Sequence, residues 1–158
     1  MTNQQANELS VSAQGDREVR IERVFDAPRE RVFQAFVDPE LIPRWWGRRE
    51  DTTTVDEMDV RVGGRWRFIT ASCDGMTAFR GEYRAIDEPE RLEQTFEWEG
   101  LPGHIAVETA TFEDLGDGRT KLTTISRFDT TEDRDGMLAS GMEIGLGESY
   151  ERLDALLA

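Results

Sequence analysis

The stretch MLASGMEIGLGESYERLDALL, residues 137–157, places Leu138, Met142, Leu146, Tyr150, Leu153 and Leu157 three or four residues apart. That spacing draws one apolar stripe along a helix. Glu148 and Arg152 stand four apart in the order that supports a helix. A helix over about 134–157 is therefore expected. Twenty or so residues at ~1.5 Å each span roughly 30 Å, about the width of a domain. No other stretch is long enough to cover a broad sheet.

What this helix covers is read upstream. Val19 to Phe25 alternates as a strand does. Asp26-Ala27-Pro28 then signals a helix start, with Val32, Phe33, Phe36 and Val37 at helical spacing. Asp38-Pro39 repeats the signal for a short second helix ending near Trp45-Trp46-Gly47. From Thr52 to Phe128 the chain reads as strand and turn. The strands are 52–57, 65–70, 79–86, 92–98, 105–112 and 121–128, with turns at Asp74-Gly75, Glu88-Pro89 and Gly116-Asp117-Gly118. This order gives an α+β fold: an antiparallel sheet of about six to seven strands, two short helices after the first strand, and one long terminal helix. Residues 1–16 are polar and expected to form a flexible tail, with a single domain over 17–158.

Composition narrows the chemistry. The chain has 158 residues, 37% of them hydrophobic, enough for one well-formed core. Basic residues number 19 and acidic residues 33, a net charge of −14. Such a surface repels phosphate backbones and anionic lipid, so neither nucleic acid nor membrane is expected as a partner. A cytoplasmic location is expected, because no secretory signal and no apolar stretch of spanning length is seen. One histidine, His104, and one cysteine, Cys73, fall short of a His/Cys metal site, and no HExxH or CxxC spacing occurs. GxSxG, GxGxxG and P-loop patterns are missing too. No cofactor, metal or catalytic residue is assigned.

Several local signatures, taken in order, resemble the START-like (SRPBCC) superfamily. They are most similar to the domain of activators of heat-shock-protein-90 ATPase and their bacterial homologues. The matching residues are Phe25-Asp26-Ala27-Pro28-Arg29-Glu30-Arg31-Val32-Phe33, Asp38-Pro39-Glu40-Leu41 and Arg44-Trp45-Trp46-Gly47. Further on come Gly63-Gly64-Arg65-Trp66, the strand bearing Gly81, Pro89-Glu90-Arg91-Leu92, Thr111-Phe112-Glu113, Gly118-Arg119-Thr120-Lys121-Leu122 and the final helix. The resemblance spans about residues 18–157. It implies a helix-grip fold, a curved sheet around the last helix, and a cavity between them that takes a small apolar molecule. Some superfamily relatives act as cyclases. The co-chaperone role of the family belongs to larger eukaryotic proteins with an additional domain.

Alternation assigns the inner face. Glu108, Ala110 and Phe112 share a side, and Phe112 matches the buried aromatic of the resemblance. Leu122, Thr124, Ser126 and Phe128 form a second set. Leu92, Gln94, Phe96 and Trp98 form a third, Trp66, Phe68 and Thr70 a fourth, and Phe79, Gly81 and Tyr83 a fifth. The expected ligand-binding residues are Trp46, Trp66, Phe68, Tyr83, Gln94, Phe96, Trp98, Glu108, Phe112, Thr124, Ser126, Met142, Gly145 and Leu146. A mainly aromatic surface with a few polar groups suits a small-molecule pocket, or else an ordinary packed core whose polar atoms are paired. Gly136, Gly141, Gly145 and Gly147 serve either close helix packing or open volume over the sheet. Glu108 is either a ligand contact or base, or a rim residue salt-bridged to Arg23, Arg67 or Arg80. Three functions follow: a binder of a small apolar or aromatic molecule, a small cyclase- or hydrolase-type enzyme in the same cavity, or a co-chaperone-like interaction module. A monomer or homodimer is expected.

Overall fold

Amphipathic strands build a sheet with one ionic face and one apolar face, and the helices cover the apolar one. The computed structural model describes residues 7–158. Its strands are β1 (Ser10–Gln14), β2 (Glu18–Phe25), β3 (Thr52–Met58), β4 (Arg65–Ser72), β5 (Gly75–Asp87), β6 (Arg91–Trp98), β7 (Ile105–Asp114) and β8 (Thr120–Arg127). Its helices are α1 (Arg29–Val37), α2 (Ile42–Trp45), α3 (Thr131–Ala139) and α4 (Met142–Leu157). The strands pair antiparallel in one curved, unclosed sheet of order β1-β2-β8-β7-β6-β5-β4-β3.

The sheet thus has 8 strands rather than six or seven. The additional strand, β1, falls in the stretch read as a tail. Val11 pairs with Ile21 and Ala13 with Val19 at the sheet edge. A polar edge strand carries little apolar signal because only one neighbour covers it. Residues 1–6 of the anticipated tail lie outside the described residues.

The terminal helix also differs from expectation. Ser140-Gly141 divides it, with Gly141 at φ 84°, a left-handed conformation that glycine adopts without strain. The first piece, α3, starts at Thr130, whose hydroxyl accepts the Asp133 N–H at 3.0 Å. Thr130→Ala should lower stability by about 1 kcal/mol. Thermal unfolding checks this, and an unchanged midpoint would remove the cap from the account of α3.

The two early helices start later than the Asp-Pro signals suggest. Pro28 is the N-cap of α1, and its carbonyl accepts the N–H groups of Arg31 and Val32. Asp38 holds the Glu40 N–H in a turn before α2. Arg152 does not reach Glu148; it donates to the Gly47, Arg48 and Pro43 carbonyls around α2. Ser149 donates to the Trp45 carbonyl at 3.0 Å, so α4 is bolted to α2.

The convex face is ionic. Arg67 reaches Glu99 at 2.7 Å and Asp56 at 3.2 Å, Arg80 reaches Glu97 at 3.0 Å, and Lys121 reaches Glu22 at 2.9 Å. The concave face has two parts. Phe25, Val32, Phe33, Trp45, Phe112, Leu122, Tyr150, Leu153 and Leu157 form a fully packed core under α1, α2 and the second half of α4. The rings of Phe33 and Phe36 meet Phe112 edge-on at 5.1 and 5.4 Å. The other part carries half-buried side chains, among them Trp46, Phe79, Gln94, Phe96 and Glu108.

Candidate functional site

Pairing across the sheet confirms the inner rows in register. Gln94 opposes Glu108, Glu108 opposes Ser126, and Ser126 opposes Val19. Tyr83 extends this row beyond Gln94. One row along, Phe96 opposes Ala106, while Trp66 opposes Gly81 and Phe68 opposes Phe79. A bulge between Tyr83 and Ala85 shifts the alternation of β5, so that Ile86 rather than Ala85 faces the inner Leu92.

At one end the aromatic side chains form a nest. The Trp46 ring meets Phe68 and Phe79 edge-on, each at 5.2 Å. Phe79 stacks on Phe96 at 5.4 Å, and Trp66 lies 4.8 Å from Phe68. Gly81 makes room for Trp66: a Cβ there would overlap the indole nitrogen and the Thr95 carbonyl. The buried Trp66 Nε1 has no hydrogen-bond partner among the described residues.

Next to the nest lies the polar row. Ser126 Oγ donates to Glu108 Oε2 at 3.1 Å. Desolvation raises the Glu108 carboxyl to about 7, and the Ser126 bond offsets only part of this. The residue still keeps some accessible surface. Both neighbouring strands cover its backbone, so that surface lies on the concave side. From α4, the buried Tyr150 phenol engages Thr124 and feels the Glu108 charge; burial raises its pKa above the ordinary tyrosine value. Burial likewise raises Tyr83.

None of the three candidate arginines pairs with Glu108. Arg67 and Arg80 belong to the convex face, bound to Glu99 and Glu97. Arg23 is inside, but its guanidinium is held by Asp154 of α4 and lies 4.8 Å over the Phe25 ring. Asp154 was not legible as a partner, because it lies more than a hundred residues away on another element. Tyr150 was legible only as part of an apolar stripe.

The anticipated residues fall into distinct places. Trp46, Trp66, Phe68 and Phe96 meet in the aromatic nest, and Gln94, Glu108, Ser126, Thr124 and Tyr83 lie in or beside the polar row. Met142 and Leu146 are half-buried on α4. Phe112 belongs to the packed core. Trp98 sits at the end of its strand, 44% exposed, with its indole N–H on Thr77 at 2.5 Å. Gly145 faces the Arg48 side chain and Gly147 faces Leu9, so of the two alternatives for these glycines close packing, not open volume over the sheet, is the one seen at both. His104 Nδ1 meets Asp133 of α3 at 2.8 Å.

Two open grooves of about 350 and 340 Å³ lie on the outer surface, one beside Arg49 and Ile144, the other beside Arg67 and Met76. Neither includes a residue of the anticipated pocket. Among the described residues no group of three or more His, Cys, Asp or Glu side chains is placed to hold a metal ion. No helix there is long and apolar enough to cross a membrane.

An open antiparallel sheet gripping a terminal helix defines a START-like helix-grip domain, a class of ligand-binding and interaction modules. The family described as activator of Hsp90 ATPase homolog 1-like protein matches residues 26–158, and the chain belongs to it. A solved Arthrobacter aurescens protein is 29% identical with a TM-score of 0.85, over 94% of this chain and 90% of that one. A Mycobacterium smegmatis protein is 25% identical with a TM-score of 0.86, over 96% and 98%. A Silicibacter pomeroyi protein titled AHSA1 shares the fold at 22% identity and a TM-score of 0.72, over 89% and 96%. No curated protein matches the chain.

Proposed function

We propose that the protein binds a small, largely apolar or aromatic molecule between the inner face of β4–β7 and the first half of α4. The observation that carries this reading is the partial exposure of apolar and polar side chains on one side of the fold. Trp46, Phe79, Gln94, Phe96, Glu108, Met142 and Leu146 are only half-buried, although the strand residues among them lie on the concave face. In a filled core such side chains lose nearly all their surface, as Phe33, Phe112 and Leu122 do here. Aromatic walls with a few convergent polar groups are the usual makeup of a small-molecule site.

A neutral solvatochromic naphthalene dye tests the reading. It should bind saturably at one site, with blue-shifted emission. Leu146→Trp should fill the space and weaken binding by at least tenfold, about 1.4 kcal/mol, while the fold is kept. Undiminished dye binding by this variant would place the site elsewhere.

Glu108 favours a second reading. A carboxyl poised near neutrality suits general acid–base work. In that case a bound ligand is turned over, and Glu108→Gln abolishes turnover while leaving dye affinity intact. An interaction module, by contrast, would bind no dye in this space.

A further inference from the structure

Among the described residues Glu108 is the acidic side chain of the polar row, and Ser126 is its one side-chain hydrogen-bond partner. Ser126 donates one hydrogen bond to Oε2. An ionised carboxylate has about four acceptor positions, so most of its capacity is unused. Among the described residues, the buried arginines are committed elsewhere. Arg23 of β2 is bound to Asp154 of α4. Arg134 of α3 spends its guanidinium on the Gly15 and Glu18 carbonyls and on Asp135. On the concave side the phenols of Tyr150 and Tyr83 are kept neutral by burial, and Glu93, Glu97, Lys121 and Arg127 alternate onto the opposite face of β6 and β8. Only desolvation and Ser126 act appreciably on the Glu108 carboxyl. The site therefore presents acceptors, a neutral amide from Gln94, and, among the described residues, no unpaired positive charge.

The aromatic nest is close by. Phe96 is the diagonal neighbour of Glu108 across the β6–β7 pair, since Glu108 opposes Gln94 and Phe96 opposes Ala106. Diagonal neighbours lie about 7–8 Å apart, roughly the distance from an aromatic ring to an amine carried on a short alkyl arm. Ala106, opposite Phe96, contributes only a methyl group to that face. A chain of net charge −14 also draws cations and repels anions at long range.

Resting on the ligand-binding reading above, we infer that the site selects organic ammonium ions: Glu108 receives the ammonium, and the half-buried Trp46, Phe79 and Phe96 receive the apolar body. Binding forms an ion pair in a desolvated place. Where Glu108 starts protonated, its proton leaves to solvent as the ammonium arrives. The amine keeps its own proton throughout.

Three probes of one shape test this: 2-(1-naphthyl)ethylamine, 2-(1-naphthyl)ethanol and 1-naphthylacetate, titrated by tryptophan fluorescence and calorimetry. At pH 8 the amine should bind the wild type at least about tenfold more tightly than the alcohol, the scale of a hydrogen-bonded charge pair. The acetate should bind weakest. With Glu108 titrating at about 7, the amine should weaken roughly tenfold between pH 8 and pH 6, as the competent ionised fraction falls. The alcohol should hardly change. In Glu108→Gln the amine's advantage should shrink to about twofold or less, with alcohol affinity kept. Calorimetry in two buffers near pH 7 should show about half a proton released per amine bound, since the carboxyl is then half protonated. Equal binding of amine and alcohol, or preference for the acetate, overturns the inference and leaves the binding reading standing. Failure of all three probes overturns both.

Discussion

Replacing Glu108 by Gln should stabilise the protein by about 3 kcal/mol near pH 8 and change little near pH 4. The folded carboxyl titrates at about 7, against 4.5 for an unperturbed glutamate. Between those values the folded chain holds a proton that the unfolded chain has released. Stability therefore falls as pH rises through the window from about 4.5 to about 7, and the full penalty is present above it. A difference of about 2.5 units corresponds to roughly 3 kcal/mol. Glutamine carries no such penalty and keeps an acceptor for Ser126. Urea denaturation at several pH values measures this directly. Parallel pH profiles for the wild type and Glu108→Gln would show that the carboxyl is solvated. A side chain that lowers stability at working pH and is not needed for folding is the kind retained for binding or chemistry.

Gly81→Ala should act in the opposite sense, lowering stability by about 3 kcal/mol, the upper end for overpacking. The new Cβ would overlap the Thr95 carbonyl and the Trp66 indole nitrogen. The carbonyl is part of the sheet backbone. The indole is hemmed in by Phe68 on one side and Phe96 on the other. Neither has somewhere to go, so the β5–β6 pairing must loosen. A midpoint shift in urea measures the loss; a change below about 0.5 kcal/mol would mean that the indole swings aside freely.

The inner rows were legible because central strands obey a strict period of two. Phe112, once placed inside, brings Ala110, Glu108 and Ala106 with it, and the pairing of β6, β7 and β8 carries the same face across. The aromatic nest followed from the same rule. What failed did so where that rule stops. The bulge after Tyr83 adds a residue that no periodicity announces. Trp98 obeys the alternation, yet it is the last residue of its strand and stays exposed. The apolar stripe of residues 138–157 continues through Gly141, so the stripe itself hides the break there. Gly145 sits on the side of α4 that meets Arg48, a direction that depends on how the helix is rolled against α2. The Arg23–Asp154 pair joins groups from opposite ends of the chain, and composition offers many equivalent candidates for each.

The two halves of α4 are held differently. Ser149, Tyr150, Leu153 and Leu157 are buried, and Ser149, Arg152 and Asp154 fasten this half to α2 and β2. Met142 to Glu148 have no fully buried residue, and the left-handed Gly141 separates them from α3. Local opening of the first half therefore draws on a different and smaller set of contacts than global unfolding does. On the proposed ligand-binding reading, the residence time of a guest and the lifetime of the folded chain are thus separable quantities. Substitutions at Met142 or Leu146 tune the first, and substitutions at Leu153 or Leu157 tune the second.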